Sequence, residues 1–444
     1  MTHFGDIWIR ARNSGFLKRL GALSVANGIN AALSFPVAIL FTRYLGAGPY
    51  GLLSLSLAAP PLVFNFMTLV SRDAMTLIAV RFKNDGDGDG IWSVVLFSLG
   101  LDCLVGLAGA AICFFGAEAL AVWVIKAPEA AGYIRLFSFS LLFQAFFLVQ
   151  EAVFQLFERV NYMAKVQVVT GFLRSGLYAA GVLLAQPLLA FVVIELTIIG
   201  IKGAAYSIGM VQALRGYALP SPAALIGKVR TFRREYLSYC GHSWAITTLT
   251  SLWANTDLFV LGYLSNLEVV GQYRFAKLLL TPVTLGLGPI YTIIYPRVTE
   301  LVHSARLGEL AHYLKRITYF TLAATLALGL AAFGAFELLS FWGAIKTDYG
   351  PSGDILLLFI LAAACSLPFS WSSPFLFAIR KPELLTWITV GGLVCYWGLA
   401  LAWVPSGGGL AMAAVFNIIQ IFYAITVILL TWRYFRTFAN TRAT

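Results

Sequence analysis

The sequence predicts an all-α integral membrane protein of about 12 transmembrane helices, arranged as two lobes of six. The chain has 444 residues, of which 59% are hydrophobic and 11% are charged, whereas soluble domains are about 25% charged. Apolar stretches of about 20 residues, the length that crosses a bilayer, recur from residue 21 to residue 432. Basic residues lie mainly in alternate connections between these stretches. Together these observations exclude a soluble fold.

Charged or Gly/Pro-rich clusters divide the apolar stretches into the predicted spans. Each span is long enough to cross the hydrocarbon core of a bilayer as a helix. In chain order the spans are 21–41, 50–70, 92–115, 132–154, 164–185, 188–211, 240–263, 269–295, 317–341, 354–378, 384–404 and 409–431.

Basic residues are distributed very unequally over the two sides of this arrangement. Of the 31 Lys and Arg residues, 22 lie on one side and three, Arg43, Lys126 and Lys346, lie on the other. Because positive charge accumulates in cytoplasmic connections, both termini are predicted to be cytoplasmic. The same asymmetry explains the net charge of +11. No nucleic-acid partner is expected, since no basic stretch is long enough to form a binding groove.

The two halves of the sequence carry traces of an internal repeat. The domain organisation predicted is an N-terminal lobe of residues 1–212, a cytoplasmic basic linker of residues 213–239 and a C-terminal lobe of residues 240–444. Because each lobe has six spans, the repeat would be parallel, with its pseudo-twofold axis along the membrane normal. The matching positions, 219 to 221 residues apart, are Tyr44 and Tyr263, Leu45 and Leu264, Gly51 and Gly271, and Pro61 and Pro282.

Cofactor and metal chemistry have no support in the sequence. The five cysteines are scattered singly, so neither a disulfide framework nor a zinc site is expected. Residues 85–90 open like a calcium-binding loop, yet the twelfth position, which requires a bidentate Glu, is Leu96. No phosphate-binding G-x-x-x-x-G-K-[ST] motif exists. No cofactor is therefore predicted, and no catalytic residue.

Ionisable residues inside the predicted spans are the main candidates for function. Each ionised group near the bilayer centre costs about 2.5–3.5 kcal/mol on insertion scales, so these side chains must face one another or water. The basic ones are Arg72, Arg135, Arg174, Lys202, Arg274 and Lys277, and the acidic ones are Asp73, Asp102, Glu151, Glu195 and Asp257.

Depth in the spans leaves structural and functional interpretations open. Asp102, Arg174 and Lys202 lie near the midplane, where Asp102 is predicted to form a structural ion pair with Arg174 or Lys202. Nearer the interfaces, snorkelling explains Arg135, Arg274 and Lys277, and a helix-end charge pair explains Arg72 with Asp73. The functional alternative is a series of cations that binds an anionic head group, because guanidinium groups grip phosphate bidentately. Its members would be Arg72, Arg174, Lys202, Arg274 and Lys277.

Polar residues and helix breakers in the first two spans suggest a cavity. Asn27 and Asn30 share a helix face at i, i+3 and are predicted to line a cavity rather than face lipid. Pro36 and the pair Pro60-Pro61 interrupt the same two spans. Such breaks are tolerated in lipid where neighbouring groups or a water-filled cavity satisfy the freed backbone groups.

Two sequence motifs resemble those of a known transporter family. Residues 41–55, FTRYLGAGPYGLLSL, resemble the R-x-L-G-x-x-x-Y-G signature of bacterial polysaccharide biosynthesis transporters. Residues 255–262, NTDLFVLG, with 270–277, VGQYRFAK, and 295–297, YPR, are similar to that family's seventh and eighth helices. The family comprises lipid-linked oligosaccharide flippases of the multidrug/oligosaccharidyl-lipid/polysaccharide (MOP) exporter superfamily. The residues that match its pattern are Arg43, Gly46, Gly51, Asp257, Gly271 and Tyr273.

The resemblance implies a fold, a substrate and a location. It implies a MATE-like, V-shaped pair of helical bundles in the bacterial inner membrane. It also implies translocation of an undecaprenyl-diphosphate-linked oligosaccharide from the inner to the outer leaflet by alternating access, coupled to H⁺ or Na⁺. From depth rather than from the resemblance, Asp102, with Asp257 second, is the expected ion-coupling carboxylate, because cation binding to a desolvated carboxylate near the midplane could be linked to lobe closure. A monomer is expected, and a polysaccharide polymerase or glycosyltransferase is a plausible partner.

Other functions agree less well with the sequence. A multidrug cation antiporter of the same superfamily would favour an acidic cavity, whereas the candidates here are as often basic. A membrane glycosyltransferase or polymerase usually carries a large outer loop, but the longest outer connection here has about 16 residues, from Gly116 to Ala131. A lipid II flippase usually has two additional helices, for which the chain is too short.

Overall fold

A computed structural model describes residues 15–69, 71–284, 294, 297–302, 304, 306–379 and 382–441. All regular elements in these ranges are helical, as predicted. In chain order the helices are α1 (Gly15–Leu45), α2 (Ala47–Met67), α3 (Ser71–Asn84), α4 (Gly88–Ala119, extended by a π-helical turn Leu120–Ile125), α5 (Ala130–Ser138), α6 (Leu141–Gln144), α7 (Phe147–Leu156), α8 (Val160–Leu183), α9 (Leu188–Leu214), α10 (Pro222–Asn255), α11 (Asp257–Leu264), α12 (Leu267–Leu279), α13 (Leu307–Phe341), α14 (Ser352–Ser366), α15 (Ser372–Ala378) and α16 (Pro382–Thr441).

In the described part of the chain, nine helical stretches are long and apolar enough to cross a membrane. The last of them is a pair of spans, because its backbone is non-helical at Gly408 between predicted spans eleven and twelve. The stretches are Val25–Leu45, Ala47–Met67, Gly88–Ile125, Ala130–Leu156, Val160–Leu183, Leu188–Leu214, Gly308–Phe341, Thr347–Leu376 and Trp387–Tyr434.

Of the remaining two predicted spans, span seven is divided and span eight is described only in part. Predicted span seven, 240–263, is divided between the end of α10 and α11, with the break at Thr256. Predicted span eight begins with α12, but its residues 285–293 lie outside the described part of the chain. The first two residues of the 295–297 motif lie outside it as well.

The chain forms two compact units whose boundary differs from the predicted one. Unit 1 comprises 1–40 and 52–256, and unit 2 comprises 41–51 and 257–444. The segment predicted as a linker, 213–239, belongs to unit 1 because most of it is helical and well packed. The end of α1 and the start of α2 belong to unit 2, because the start of α2 packs on α12 and the Tyr44 carbonyl of α1 accepts from Lys346 at 3.2 Å.

The core of unit 1 explains why the basic segment is not a free linker. Phe232 and Tyr236 of α10 are buried against α3 and α4. The Phe232 ring lies edge-on to Phe82 and Phe97, with centroid distances of 6.0 and 5.7 Å. Burying one such side chain contributes about 1.5–3 kcal/mol, so the apolar face of the basic helix holds it in place.

Two ion pairs fasten the same helix to the region around the α3–α4 connection. Arg81 donates to both carboxylate oxygens of Glu235 at 2.8 and 2.5 Å, and this hydrogen bonding lowers the pKa of Glu235. Lys228 pairs with Asp87, which also caps α4 by accepting from the Gly90 N–H at 2.9 Å. Although burial raises the pKa of Asp87, these hydrogen bonds lower it overall. Asp87 is thus a helix cap in the loop that opens like a calcium site.

In unit 2, α2 and α12 meet backbone to backbone through two glycines. A Cβ on Gly51 would lie 1.9 Å from the Leu267 carbonyl oxygen, and one on Gly271 would lie 1.9 Å from that of Ala47. The Asp348 carboxylate accepts the Ala47 N–H at 2.7 Å, which satisfies a free donor at the start of α2. Two of the signature glycines are therefore packing residues.

Candidate functional site

In unit 1, Lys202 lies against two aromatic rings. Its Nζ lies 4.5 Å from the ring centroid of Phe147 on α7 and 5.0 Å from that of Tyr206, one turn along α9. The two rings stack edge to face at 5.7 Å. In the described part of the chain, no carboxylate oxygen lies within 4 Å of this ammonium. Cation–π attraction fixes its position without using the hydrogen-bond donors that an anion would need.

Glu151 lies close enough to Lys202 and to Arg72 to interact electrostatically with each of them. Glu151 follows Phe147 by one turn of α7, so the two share a helix face. Its carboxylate interacts electrostatically with both Lys202 and Arg72. Arg72, at the start of α3, also contacts Asp73 at 3.3 Å and keeps 39% of its side chain exposed. The Glu151 carboxylate therefore acts on one cation of α9 and one of α3, and the second of these is partly exposed.

Arg174 has a carboxylate partner that differs from the one predicted. It lies on α8, and its Nε donates to Glu195 of α9 at 2.7 Å, while Tyr178 donates to the same oxygen. The exposed fractions are 49% for the arginine side chain and 11% for the glutamate side chain. The predicted pairing of Asp102 with Arg174 or Lys202 is wrong, because these two cations find their partners on α7 to α9.

Asp102 lies instead in a network of hydroxyl groups. It is 3% exposed and accepts from the Ser71 hydroxyl at 2.8 Å. Nearby, Tyr236 donates to Ser98 at 2.7 Å. This network joins α3, α4 and α10, and it contains no basic side chain within 4 Å of the carboxylate among the described residues. Asp102 is thus buried without a compensating positive charge in that region.

The two asparagines of α1 have different surroundings. Asn30 donates to the Gln167 carbonyl of α8 at 3.3 Å. Its Oδ1 lies so close to Gly171 that a Cβ added to that glycine would be only 1.8 Å from the oxygen. That oxygen has no hydrogen-bond partner among the described residues. Asn27, one turn earlier, is exposed. The structure therefore buries one of the pair against a neighbouring helix and not the other.

In unit 2, Asp257 forms a compact group with the predicted site residue Lys277 and with Tyr273. Its Oδ2 accepts from Lys277 at 2.7 Å and from Tyr273 at 2.8 Å, and its Oδ1 accepts from the Leu258 N–H at 2.9 Å. The lysine and the tyrosine are four residues apart on α12. Arg274 is exposed on another face of that helix.

Sequence reasoning missed the partners of the cations, although a spacing signal was present. Phe147 and Glu151, Arg174 and Tyr178, and Lys202 and Tyr206 are all pairs at i, i+4, and such residues share a helix face. The partner on the next helix, such as Glu195, could not be assigned because hydropathy does not determine how a helix is rotated. No group of three or more metal-ligating side chains occurs in the part of the chain that the structure describes.

Several solved membrane transporters have the same fold. The lipid II flippase MurJ is 14% identical, with 92% of this chain and 87% of that chain covered and a TM-score of 0.66. An inward-facing multidrug resistance MATE transporter is 16% identical, with 93% and 96% covered and a TM-score of 0.64. The Vibrio cholerae MATE transporter VcmN is 12% identical, with 96% and 98% covered and a TM-score of 0.64. A sequence comparison with curated proteins found no match.

The apolar helices and these fold neighbours define the class of the protein: a multi-pass helical membrane protein with the fold that MATE transporters and MurJ share. Within that class the family is also clear. Residues 16–302 match the family model for polysaccharide biosynthesis proteins, which covers more than half of the chain. The protein therefore belongs to the polysaccharide biosynthesis protein family, as its two sequence motifs predicted.

Proposed function

We propose that the protein is a flippase that moves an undecaprenyl-diphosphate-linked oligosaccharide from the inner to the outer leaflet of the bacterial inner membrane. The observation that carries the proposal is the environment of Lys202, a cation on an apolar helix. Aromatic rings position its ammonium group, and no carboxylate oxygen in the described region lies within 4 Å of it. A diphosphate is the anion that a polysaccharide biosynthesis transporter would meet at membrane depth. Family membership and the fold shared with the lipid II flippase MurJ support this substrate class.

The surroundings of each basic residue rank the proposed head-group ligands. Lys202 comes first, because it has no hydrogen-bonded carboxylate in the described region. Arg72 contacts Asp73 and keeps 39% of its side chain exposed. Arg174 shares its charge with Glu195 but keeps half of its side chain accessible. In unit 2, Arg274 is accessible and Lys277 is engaged by Asp257. Charge-assisted hydrogen bonds from such groups would bind phosphate oxygens strongly.

Multidrug cation export is the alternative function. The observation that favours it is the fold shared with the MATE transporters. The lysine between Phe147 and Tyr206 argues against it. An aromatic site for a cationic drug would leave its rings free for the drug, whereas here Lys202 already occupies the cation–π position. The positive charge of Lys202 itself would also repel a cation.

Transport is expected to be directly measurable in liposomes. Purified protein would be reconstituted with a fluorescent undecaprenyl-diphosphate oligosaccharide, and its loss from one leaflet followed with and without an imposed proton or sodium gradient. Accelerated transfer relative to protein-free liposomes is the expected result. An equal rate with and without protein, in a sample shown to be folded, together with export of a cationic dye, would transfer support to drug export.

We further propose that Asp102 couples transport to a cation gradient, with Asp257 as the second carboxylate. Asp102 is the stronger candidate because no basic side chain within 4 Å balances its charge in the described region. Proton or Na⁺ binding there would change the local charge substantially, whereas Lys277 already balances Asp257. Asp102→Asn is expected to retain downhill transfer and to lose its acceleration by a gradient. The matched control Asp73→Asn, an exposed acid on the neighbouring helix, should keep the gradient response. A normal response in Asp102→Asn would exclude this role.

A further inference from the structure

Helix α10 carries an exposed basic stripe beside its buried aromatic face. The positions of this stripe are spaced at i, i+3, i+4 and i+7, so they lie on one side of the helix. They are Arg230, Arg233, Arg234 and Leu237, all exposed and together called the arginine stripe. Phe232 and Tyr236, on a neighbouring side, are buried. The aromatic face thus holds the helix in place and leaves the stripe accessible.

The acidic side chains in this region are bound by other basic residues. Glu235 accepts two hydrogen bonds from Arg81, at 2.8 and 2.5 Å, and Asp87 is paired with Lys228. In the part of the chain that the structure describes, no carboxylate oxygen lies within 4 Å of the three arginines. Like charges at these spacings destabilise a helix, so an anion from outside the chain would stabilise this one.

Contacts between α10 and α4 show at which depth the stripe lies. Lys228 contacts Asp87, which precedes α4, and Tyr236 donates to the Ser98 hydroxyl at 2.7 Å. Ser98 is six residues inside the predicted span 92–115, about 9 Å along the helix. The arginines lie between these two contacts, at the level where the predicted span begins. At this boundary between hydrocarbon and head groups, arginine side chains extend toward the polar side.

From this charge and this depth we infer that the arginine stripe binds the phosphate groups of anionic phospholipids. Guanidinium groups match phosphate oxygens bidentately. Leu237, one turn nearer the hydrocarbon and 46% exposed, would contact an acyl chain. The leaflet is the one on the side predicted to be cytoplasmic. A water-soluble acidic partner fits less well, because it could not cover Leu237 at that depth. The inference does not depend on which substrate the protein transports.

Lipid binding is measured on purified full-length protein in a non-ionic detergent. Phosphatidylglycerol is added at increasing concentration, with zwitterionic phosphatidylcholine as the comparison, and bound lipids are counted by native mass spectrometry. The wild type is expected to prefer phosphatidylglycerol. The triple variant Arg230→Gln, Arg233→Gln, Arg234→Gln is expected to bind it about 10- to 100-fold more weakly, the combined effect of three basic side chains near an anionic surface. Added NaCl should weaken wild-type binding, since salt screens exposed charges.

A second triple variant removes the same net charge from positions outside the stripe. It combines Lys165→Gln, Arg215→Gln and Lys315→Gln, three exposed residues on the side predicted to be cytoplasmic. This variant should bind phosphatidylglycerol as the wild type does. Without added lipid, both triple variants should unfold at the wild-type temperature, since neither breaks an ion pair among the described residues. Equal weakening of lipid binding in both variants would assign the effect to net charge and overturn the inference.

A competitor separates a lipid from a soluble phosphate as the source of the anion. Excess inorganic phosphate should leave phosphatidylglycerol bound, because it has no acyl chain to contact Leu237. Displacement of the lipid by inorganic phosphate would make the stripe a site for soluble phosphates and overturn the lipid assignment. Equal binding of phosphatidylglycerol and phosphatidylcholine by the wild type would also overturn it, and a soluble acidic partner would then be the remaining explanation for the stripe.

Discussion

Lys202→Met is expected to lower the initial rate of lipid-linked oligosaccharide transfer by about 10- to 100-fold, because a hydrogen bond to a charged group contributes about 1.5–3 kcal/mol. Methionine keeps the length and the apolar packing between Phe147 and Tyr206, while the positive charge is lost. Lys202→Arg keeps the charge and should retain part of the activity. The measurement is the leaflet-transfer rate in liposomes at equal amounts of folded protein.

Lys165→Met is the matched control for this prediction. Lys165 lies on α8 in the same unit and is exposed, so the same change of side chain should leave transfer near the wild-type rate. Thermal unfolding of Lys165→Met should match that of the wild type. Lys202→Met should unfold only slightly earlier, since it loses the cation–π contacts but keeps the apolar packing and breaks no ion pair in the described residues. Full transport activity of Lys202→Met would remove the observation on which the proposed function rests.

Arg174 is a less informative probe of transport, although its depth alone made it equally attractive. Its guanidinium neutralises Glu195, which is only 11% exposed and also accepts from Tyr178. Removing the arginine leaves that glutamate with one neutral partner, and breaking such a pair is strongly destabilising. A loss of transport in an Arg174 variant would therefore mix a binding effect with a folding effect.

The positions of the helices were largely predictable, whereas the partners of the charged groups were not. Hydropathy over about 20 residues determines which segments enter a bilayer, so even the two spans joined as α16 were separated correctly near Gly408. The choice between Asp102 and Glu195 as the partner of Arg174 depends on how α4, α8 and α9 are rotated about their axes. That rotation follows from side-chain packing, on which a single sequence carries little information.

The basic segment 213–239 is a second place where the packing of a helix was not predicted. Its five Lys and Arg residues suggested a solvated linker. However, Phe232 and Tyr236 lie four residues apart and form a buried face of the helix. The charges lie on the remaining faces, where Lys228 and the Arg81–Glu235 pair attach the helix to the α3–α4 region. Periodicity of the apolar residues was thus a better guide than net charge.

Gly271→Ala is expected to destabilise unit 2 by about 3 kcal/mol, at the upper end of the usual cost of overpacking. The added Cβ would stand 1.9 Å from the Ala47 carbonyl oxygen, and backbone atoms cannot move aside as a flexible side chain can. Helices α2 and α12 would have to separate, which weakens the bond from Ala47 N–H to Asp348. The measurement is the thermal unfolding midpoint in detergent, with the yield of monodisperse protein.

Gly48→Ala provides the matched comparison. Gly48 lies in the first turn of α2, and nothing lies within 4 Å of a Cβ built at that position. Its effect should stay within about 0.5 kcal/mol, as for surface substitutions generally. Gly51→Ala should resemble Gly271→Ala, because it clashes with the Leu267 carbonyl in the reciprocal position. If Gly271→Ala and Gly48→Ala unfold at the same temperature, the direct backbone contact is absent. The signature glycines at positions 51 and 271 would then require an explanation other than packing, such as a conformational change in which these helices separate.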